Sequence, residues 1–444
     1  MTEQQPSALP VVVIGAGPVG LSAAAHLTGR GVPVVVLEAG PSAGASVVEW
    51  GHVRLFSPWS ELVDPAAERL LANPGWSAPD PAVFPTGAEW VARYLEPLAG
   101  ALGDAVRLGA SVTAVTRQSR DRLVSSGRDE APFTVHVGTA TGDELVTARA
   151  VVDASGTWSA PNPLGGDGVP ATGEKEAAAR ISHRIPDLLD AGVRARYAGK
   201  HVVVAGTGAS AKGALVALTS LAEDETGTRI TWLVRRPSVG EAFAGSAQDG
   251  LPERGALGRR ARAAVESGPV ETRSGFRTSA VDAREDGTLT VRSFDGQVVD
   301  GVDEIVVLTG FRPDLGMLSE IRLDLDPVLQ APRDLAPLID PNEHSCGTVH
   351  PHGAVELAQP EAGFWLVGAK SYGRATSFLA LTGFEQARSV AAAIAGDHEA
   401  AARVELTLPE TGVCGGSGLF DEAQDTATGC CAPGPQDLLT PVGR

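Results

Sequence analysis

Val11-Val12-Val13-Ile14 runs straight into Gly15-Ala16-Gly17-Pro18-Val19-Gly20, and Glu38 stands eighteen residues beyond the last glycine. Four apolar, mostly β-branched residues in a row suit a parallel strand covered on both faces. The Ala-rich stretch Leu21 to Leu27 reads as a helix ended by Gly29 and Gly31, and Val34-Val35-Val36-Leu37 as the next strand. In such a strand–turn–helix, Gly15 permits the tight turn, Gly17 lets a pyrophosphate approach the backbone, and Gly20 allows close helix–strand packing. The helix start offers unpaired N–H groups and a positive dipole end to the phosphates. Glu38, closing the second strand, is placed to accept from ribose hydroxyls. A merely glycine-rich turn would leave Glu38 unexplained. FAD is the dinucleotide expected here.

The same design returns about 190 residues later. Val202-Val203-Val204-Ala205 leads into GTGASAKG with Gly206, Gly208, Ser210 and Ala211, then an apolar helix from Ala214 to Leu221 and a strand over Ile230 to Val234. Alanine is an accepted third residue of the fingerprint. This second strand ends in Arg235-Arg236 rather than in an acid. Guanidinium groups pair bidentately with a 2′-phosphate that a carboxylate would repel, so NADPH is expected over NADH. Two solvated arginines at a strand end are the plainer alternative.

Between the units, Ala150 to Ser155 reads as a short buried strand, followed by a Pro- and Gly-rich connection to Gly173. Ile305-Val306-Val307-Leu308 then enters TGFRPD, where the chain is expected to return to the first domain. A strand over Phe364 to Ala369 and a helix from Thr376 to Ala395 follow, and from Val404 the composition predicts a mobile extension. The expected fold is α/β with two Rossmann-like dinucleotide-binding domains: residues 1–165 and 301–400 form an FAD domain split around an inserted NADPH domain at 166–300. Residues 401–444 form a cysteine-containing tail.

The 444 residues are 43% hydrophobic and 20% charged with a net charge of −18, an ordinary soluble composition whose sign argues against nucleic acid or anionic lipid. No apolar run reaches the roughly 18 residues of a membrane span. The start lacks a signal-peptide pattern. All four cysteines, Cys346, Cys414, Cys430 and Cys431, lie after residue 345. A secreted scaffold would spread them, so a cytoplasmic location is expected. No CxxC occurs, which disfavours a dithiol–disulfide reductase unless the late thiols act instead.

These motifs, with DASGTW (Asp153 to Trp158), LTGFRPD (Leu308 to Asp314) and VGAKSYGRA (Val367 to Ala375), make residues 10 to 397 resemble the flavin-containing monooxygenases. The resemblance implies that Gly156 and Gly310 lie at the crossings between domains. It also implies that Val112 meets the adenine and that Gly368 to Ala375 faces the flavin, where Lys370 and Arg374 would stabilise negative charge on the reduced ring. The Baeyer–Villiger fingerprint FxGxxxHxxxW is absent, His183 standing in ISHRIPD without aromatic partners.

Glu49 to Trp59, Gly368 to Gln386 and Leu408 to Cys414 are similar to flavoproteins encoded in bacterial arsenic-resistance gene clusters. That similarity implies a class B-type monooxygenase using O₂ to oxygenate a soft nucleophile such as a trivalent arsenical. Arg54, Ser57 and Trp59 would approach the flavin or substrate, although Phe56 and Trp59 read equally well as core. Cys414, Cys430 and Cys431 would offer thiolates to a thiophilic ion; incidental thiols on a tail are the plainer reading. Glu343, His344, Cys346, His350 and His352 fit no standard zinc spacing. Two alternatives stay open: an NADPH-dependent flavin reductase or electron-transfer flavoprotein using the C-terminal thiols, and a metalloid-binding flavoprotein. A homodimer also stays open.

Overall fold

The computed structural model describes residues 9–72, 75–243, 251–341, 352–375 and 378–406. Val11–Ile14 forms the centre of a five-stranded parallel sheet in the order Phe364–Leu366, Ala150–Asp153, Val11–Ile14, Val34–Leu37, Val106–Arg107. Its four residues alternate between two cores. Val11 and Val13 meet the helices Pro18–Gly29 and Ala380–Ile394, while Val12 and Ile14 meet a three-stranded antiparallel sheet of Ser111–Arg117, Phe133–Thr139 and Gly142–Ala148. Coverage on both faces is the physical reason why the strand is apolar throughout.

The second unit repeats this plan. Its parallel sheet runs Val270–Ser274, Arg229–Val234, His201–Ala205, Glu304–Val307, Ile181–Ser182. Val202 and Val204 pack toward the helix Ala209–Asp224, and Val203 and Ala205 toward a second antiparallel sheet of Thr278–Ala283, Leu289–Ser293 and Val298–Val302. The fold is therefore the expected α/β arrangement of two Rossmann-like units.

One expectation needs correction. The strand Glu304–Val307 pairs in parallel with Val202 to Ala205 and is the second unit's own. The chain's return falls after it, so the boundary expected at residue 300 cuts the second sheet. An apolar run of four does not reveal which of two similar sheets will accept it.

In both sheets the chain leaves the central strand in one direction and later returns to pair on its other side. Such a switch point opens a crevice at the carboxyl ends of the strands, where ligands bind in open α/β sheets. Among the described residues no helix is long and apolar enough to cross a membrane.

Candidate active site

Gly15 has φ +97°, and a Cβ there would come within 2.9 Å of the Ala154 carbonyl oxygen at the neighbouring strand's end. A Cβ on Gly20 would fall 2.0 Å from the Gly15 carbonyl oxygen, so both glycines are demanded by the chain's own packing. Gly17 is different. It caps the helix Pro18–Gly29 with φ −76° and ψ −177°, which any residue adopts, and a Cβ would meet nothing within 4 Å. Gly208 caps Ala209–Asp224 with φ −71° and ψ −179° and is equally open. In both units, then, the middle glycine borders empty space at a helix start. That is the cradle a pyrophosphate fits and a side chain would fill.

Glu38 is held by its own loop: its carboxylate accepts from the Ala16 amide at 2.7 Å and the Gly40 amide at 2.8 Å. Two amides fix the carboxylate while leaving lone pairs for hydroxyl donors. Gly15, Gly17, Glu38, Val112 and Gly156 all line one cavity of about 980 Å³.

Lys370 and Gly368 line the same cavity. Lys370, 1% exposed, pairs at 2.7 Å with Asp153, which is fully buried at the end of Ala150–Asp153. Its ammonium also donates to Ser155 Oγ at 3.0 Å, and Ser155 Oγ donates to Asp153 at 2.6 Å. The turn that carries Lys370 is pinned by Gln386, which accepts from the Gly368 amide at 2.7 Å and donates to Ser371 at 2.9 Å. A fixed, desolvated ammonium of this kind is preorganised to stabilise negative charge appearing nearby.

The other residues expected here divide. Arg54 lines the cavity, exposed at its edge, with its guanidinium donating to the Phe84 carbonyl. Trp59 does not. It is 2% exposed in the first unit's core, with the Arg93 guanidinium 5.7 Å from its ring. It is a packing residue, corrected from its expected place at the reaction. Arg374 is corrected likewise: Gly373 turns the chain with φ +56°, and Arg374 emerges exposed, donating to Gln330 at 2.8 Å and lining no part of the cavity. Cys346, Cys414, Cys430 and Cys431 lie outside the described residues, as do Glu343, His344 and His350. Among the described residues no cluster of three His, Cys, Asp or Glu side chains suits a metal ion.

The second unit reaches the cavity through Ala209, beside Gly208, and through Leu251 and Arg254 at the start of the helix Pro252–Ser267. Gly206 repeats the role of Gly15, its Cβ direction blocked by the Leu308 carbonyl oxygen at 2.2 Å. Ala211 is fully buried against the strands, and Ser210 is half-buried in the helix's first turn. Arg235 and Arg236 stand off the cavity, at the end of Arg229–Val234. Burial and the neighbouring Arg277 guanidinium pull Arg235 below the usual arginine range. Gly310 takes φ +92° at one crossing, where its carbonyl oxygen accepts from the Asn162 amide of the other.

Asp153, Ser155, Leu251, Arg254 and Arg277 were not singled out from the sequence. Asp153 left a signal, an acid ending an apolar strand just before a glycine. The remaining four left none.

The model of the pyridine nucleotide-disulphide oxidoreductase family matches residues 12–346. The chain belongs to this family. It is accordingly an oxidoreductase. An indole-3-pyruvate monooxygenase from Oryza sativa subsp. japonica is 34% identical over 155 residues, which are 34% of this chain and 32% of that relative. The match thus spans about a third of the curated relative's length. Among solved structures, a bacillithiol disulfide reductase from Bacillus cereus aligns with a TM-score of 0.61 at 20% identity, covering 87% of this chain and 99% of its own. The cadaverine monooxygenase of desferrioxamine biosynthesis from Erwinia amylovora, bound to FAD, aligns with a TM-score of 0.61 at 14% identity, covering 94% and 99%. At these identities the solved structures show a shared fold.

Proposed function

We propose that this oxidoreductase is a class B-type flavin monooxygenase that places one oxygen atom of O₂ on a soft nucleophile. FAD and NADPH are its cofactors. The balance is substrate + O₂ + NADPH + H⁺ → oxygenated substrate + NADP⁺ + H₂O. The observation that carries the reading is the single cavity, which joins the Gly15–Gly17–Glu38 cradle to Lys370 and to Ala209, Leu251 and Arg254 of the second unit. When bound, the flavin supplies the redox chemistry, taking a hydride from NADPH and passing electrons to O₂.

The residues then have distinct roles. Gly17 admits the FAD pyrophosphate to the start of Pro18–Gly29, Gly15 and Gly20 keep the turn in shape for it, and Glu38 holds the ribose. Val112 lies against the adenine. Lys370, locked on Asp153 and Ser155, offsets negative charge on the reduced ring, with Gly156 leaving room beside it and Gly368 packed against Val19. Gly208 and Ser210 hold the NADPH pyrophosphate on a turn that Gly206 and Ala211 pack, and Arg235 and Arg236, with Arg277, take the 2′-phosphate. An anion set among those guanidiniums offsets the repulsion that Arg235 experiences. The domain limits that go with this reading keep the FAD part to about residue 165 and extend the NADPH part through Val307.

The substrate region follows from the cavity's apolar wall. Trp50, Val53, Leu55, Phe56, Phe378 and Leu379 line it and remain half-buried. Two of these rings rest on glycines: a Cβ at Gly87 would approach Trp50 to 2.8 Å, and one at Gly383 would approach Phe378 to 3.0 Å. A preformed wall of this kind favours a soft atom carried on an apolar body, at about fourfold in affinity per methylene covered. A trivalent organoarsenical fits that chemistry, with support for arsenic coming from the sequence resemblance.

The second reading, electron transfer to thiols, draws on the disulphide reductases of the family. No CxxC occurs in the sequence, and its four cysteines all lie outside the described residues. Turnover under ¹⁸O₂ tests the proposal: label in the product is expected with an aryl sulfide or a phenyl arsenical. Release of all reducing equivalents as hydrogen peroxide, whatever the added substrate, would refute it. Loss of turnover in a Cys430→Ser/Cys431→Ser variant would favour the thiol reading.

A further inference from the structure

Four residues from four different segments meet at the edge of the cavity. Trp158 comes from the first crossing, Phe311 from the second, Glu49 from the first unit and Arg184 from the second unit. The Trp158 indole N–H donates to Glu49 at 2.9 Å, and Arg184 Nε donates to the same carboxylate oxygen at 3.0 Å. The Arg184 guanidinium carbon lies 3.9 Å from the Trp158 ring centroid and 5.9 Å from that of Phe311. The two rings are themselves 4.8 Å apart. One carboxylate thus ties an indole and a guanidinium that already stack, and the stack includes a ring from each crossing.

Trp158 also lines the cavity, close in sequence to Gly156. Nearby, His52 of the first unit faces Asp187 of the second at 4.0 Å. The contacts fix how the second unit stands over the mouth through which Ala209, Leu251 and Arg254 reach in. Their net contribution to stability is small, because Arg184 and Glu49 are 34% and 53% exposed and such pairs are strongly screened. A cluster that binds the two units at four points yet adds little stability is better suited to geometry than to folding.

We propose that Glu49, Arg184 and Trp158 form an interdomain clamp that positions the NADPH-binding unit for hydride transfer to the flavin. They are positioning residues, acting through the placement of the second unit; the inference rests on the FAD–NADPH reading. Reacting atoms must sit within about 3–3.5 Å, and misplacement by about 1 Å costs on the order of 100-fold in rate. The clamp spans both crossings, so releasing it lets that error accumulate across the cleft. Arginine is required at 184 because its planar group stacks and donates at once, which an ammonium does not reproduce.

The test uses FAD-loaded enzyme and anaerobic stopped-flow reduction by NADPH, with Glu49→Gln, Arg184→Ala and Arg184→Lys. Expected is a fall of tenfold or more in the limiting reduction rate for Glu49→Gln and Arg184→Ala, with the apparent Kd for NADPH within threefold of wild type. Arg184→Lys recovers only part of the loss. A second readout is independent of turnover: near-ultraviolet circular dichroism of the cofactor-free chain loses in Arg184→Ala the component that Trp158→Phe assigns to the stack. Urea unfolding stays close to wild type in Glu49→Gln. Reduction at the wild-type rate in Glu49→Gln and Arg184→Ala overturns the clamp, as does a rate loss matched by an equal loss of stability. Failure of wild-type enzyme to be reduced by NADPH would instead defeat the underlying functional reading.

Discussion

Gly17→Ala separates a glycine kept for a ligand from one kept for the fold. The new methyl meets no atom of the chain within 4 Å, and the backbone at φ −76° accepts it. The cofactor-free protein loses at most the difference between glycine and alanine as a helix cap, about 1 kcal/mol or less. With the pyrophosphate seated, the same methyl overfills the cradle. Overpacking of this kind costs about 1–3 kcal/mol, or roughly 5- to 160-fold in Kd. Gly20→Ala is the contrast: its methyl lands 2.0 Å from the Gly15 carbonyl oxygen, so the turn must break before any cofactor is considered. FAD titration of the apoprotein, followed by flavin fluorescence, measures the first effect, and thermal unfolding of the apoprotein separates the two variants. Gly17→Ala binding FAD within twofold of wild type, or Gly20→Ala folding with wild-type stability, would refute the reasoning. Gly208→Ala should repeat the pattern for NADPH while leaving FAD affinity unchanged.

Lys370→Met leaves the buried Asp153 carboxyl without its cation, which should cost about 3–5 kcal/mol in urea unfolding; adding Asp153→Asn should restore much of it, and a double variant no better than the single would count against the pair. Arg235→Ala should weaken NADPH about 10- to 160-fold, the range of a lost charge-assisted hydrogen bond, with NADH little changed in parallel binding titrations. Beneath the first helix, Asp64 accepts from Ser22 at 2.9 Å and lies 3.1 Å from the His26 ring. Burial acts to raise its pKa, but His26, the Ala67 amide and Ser22 outweigh burial and hold it below 3.8. Because the folded value is the depressed one, the stability Asp64 contributes is complete above the unfolded value and is lost as pH falls through the lower folded value. Asp64→Asn should therefore destabilise at neutral pH and flatten the decline below about pH 4 in acid unfolding curves.

What could be read from the sequence was what is local. Gly15, Gly17, Gly20 and Glu38 fall within one strand–turn–helix–strand, so spacing alone fixes their mutual geometry. Gly206 and Gly208 follow for the same reason. Lys370 was placed only by resemblance, and its partner Asp153 is 217 positions away, joined to it by sheet pairing between Phe364–Leu366 and Ala150–Asp153. Trp59 and Trp50 look alike in sequence; one is buried in the core and the other lines the cavity with its ring over Gly87. Arg374 follows Lys370 closely, yet one left-handed glycine between them sends the two cations in different directions. The strand at Ile305 had two similar sheets available and took the second. In each case the missing information is tertiary: which distant strand pairs, and which way a turn points.

The central claim is that the two glycine cradles serve one cavity, where NADPH delivers its hydride to FAD. Anaerobic titration of the FAD-loaded protein with NADPH, followed at the flavin absorbance, tests this most directly. One flavin should be bleached per NADPH, in a reaction that NADH supports far less well. NADPH that binds without bleaching the flavin, or NADH that reduces it equally, would contradict the account.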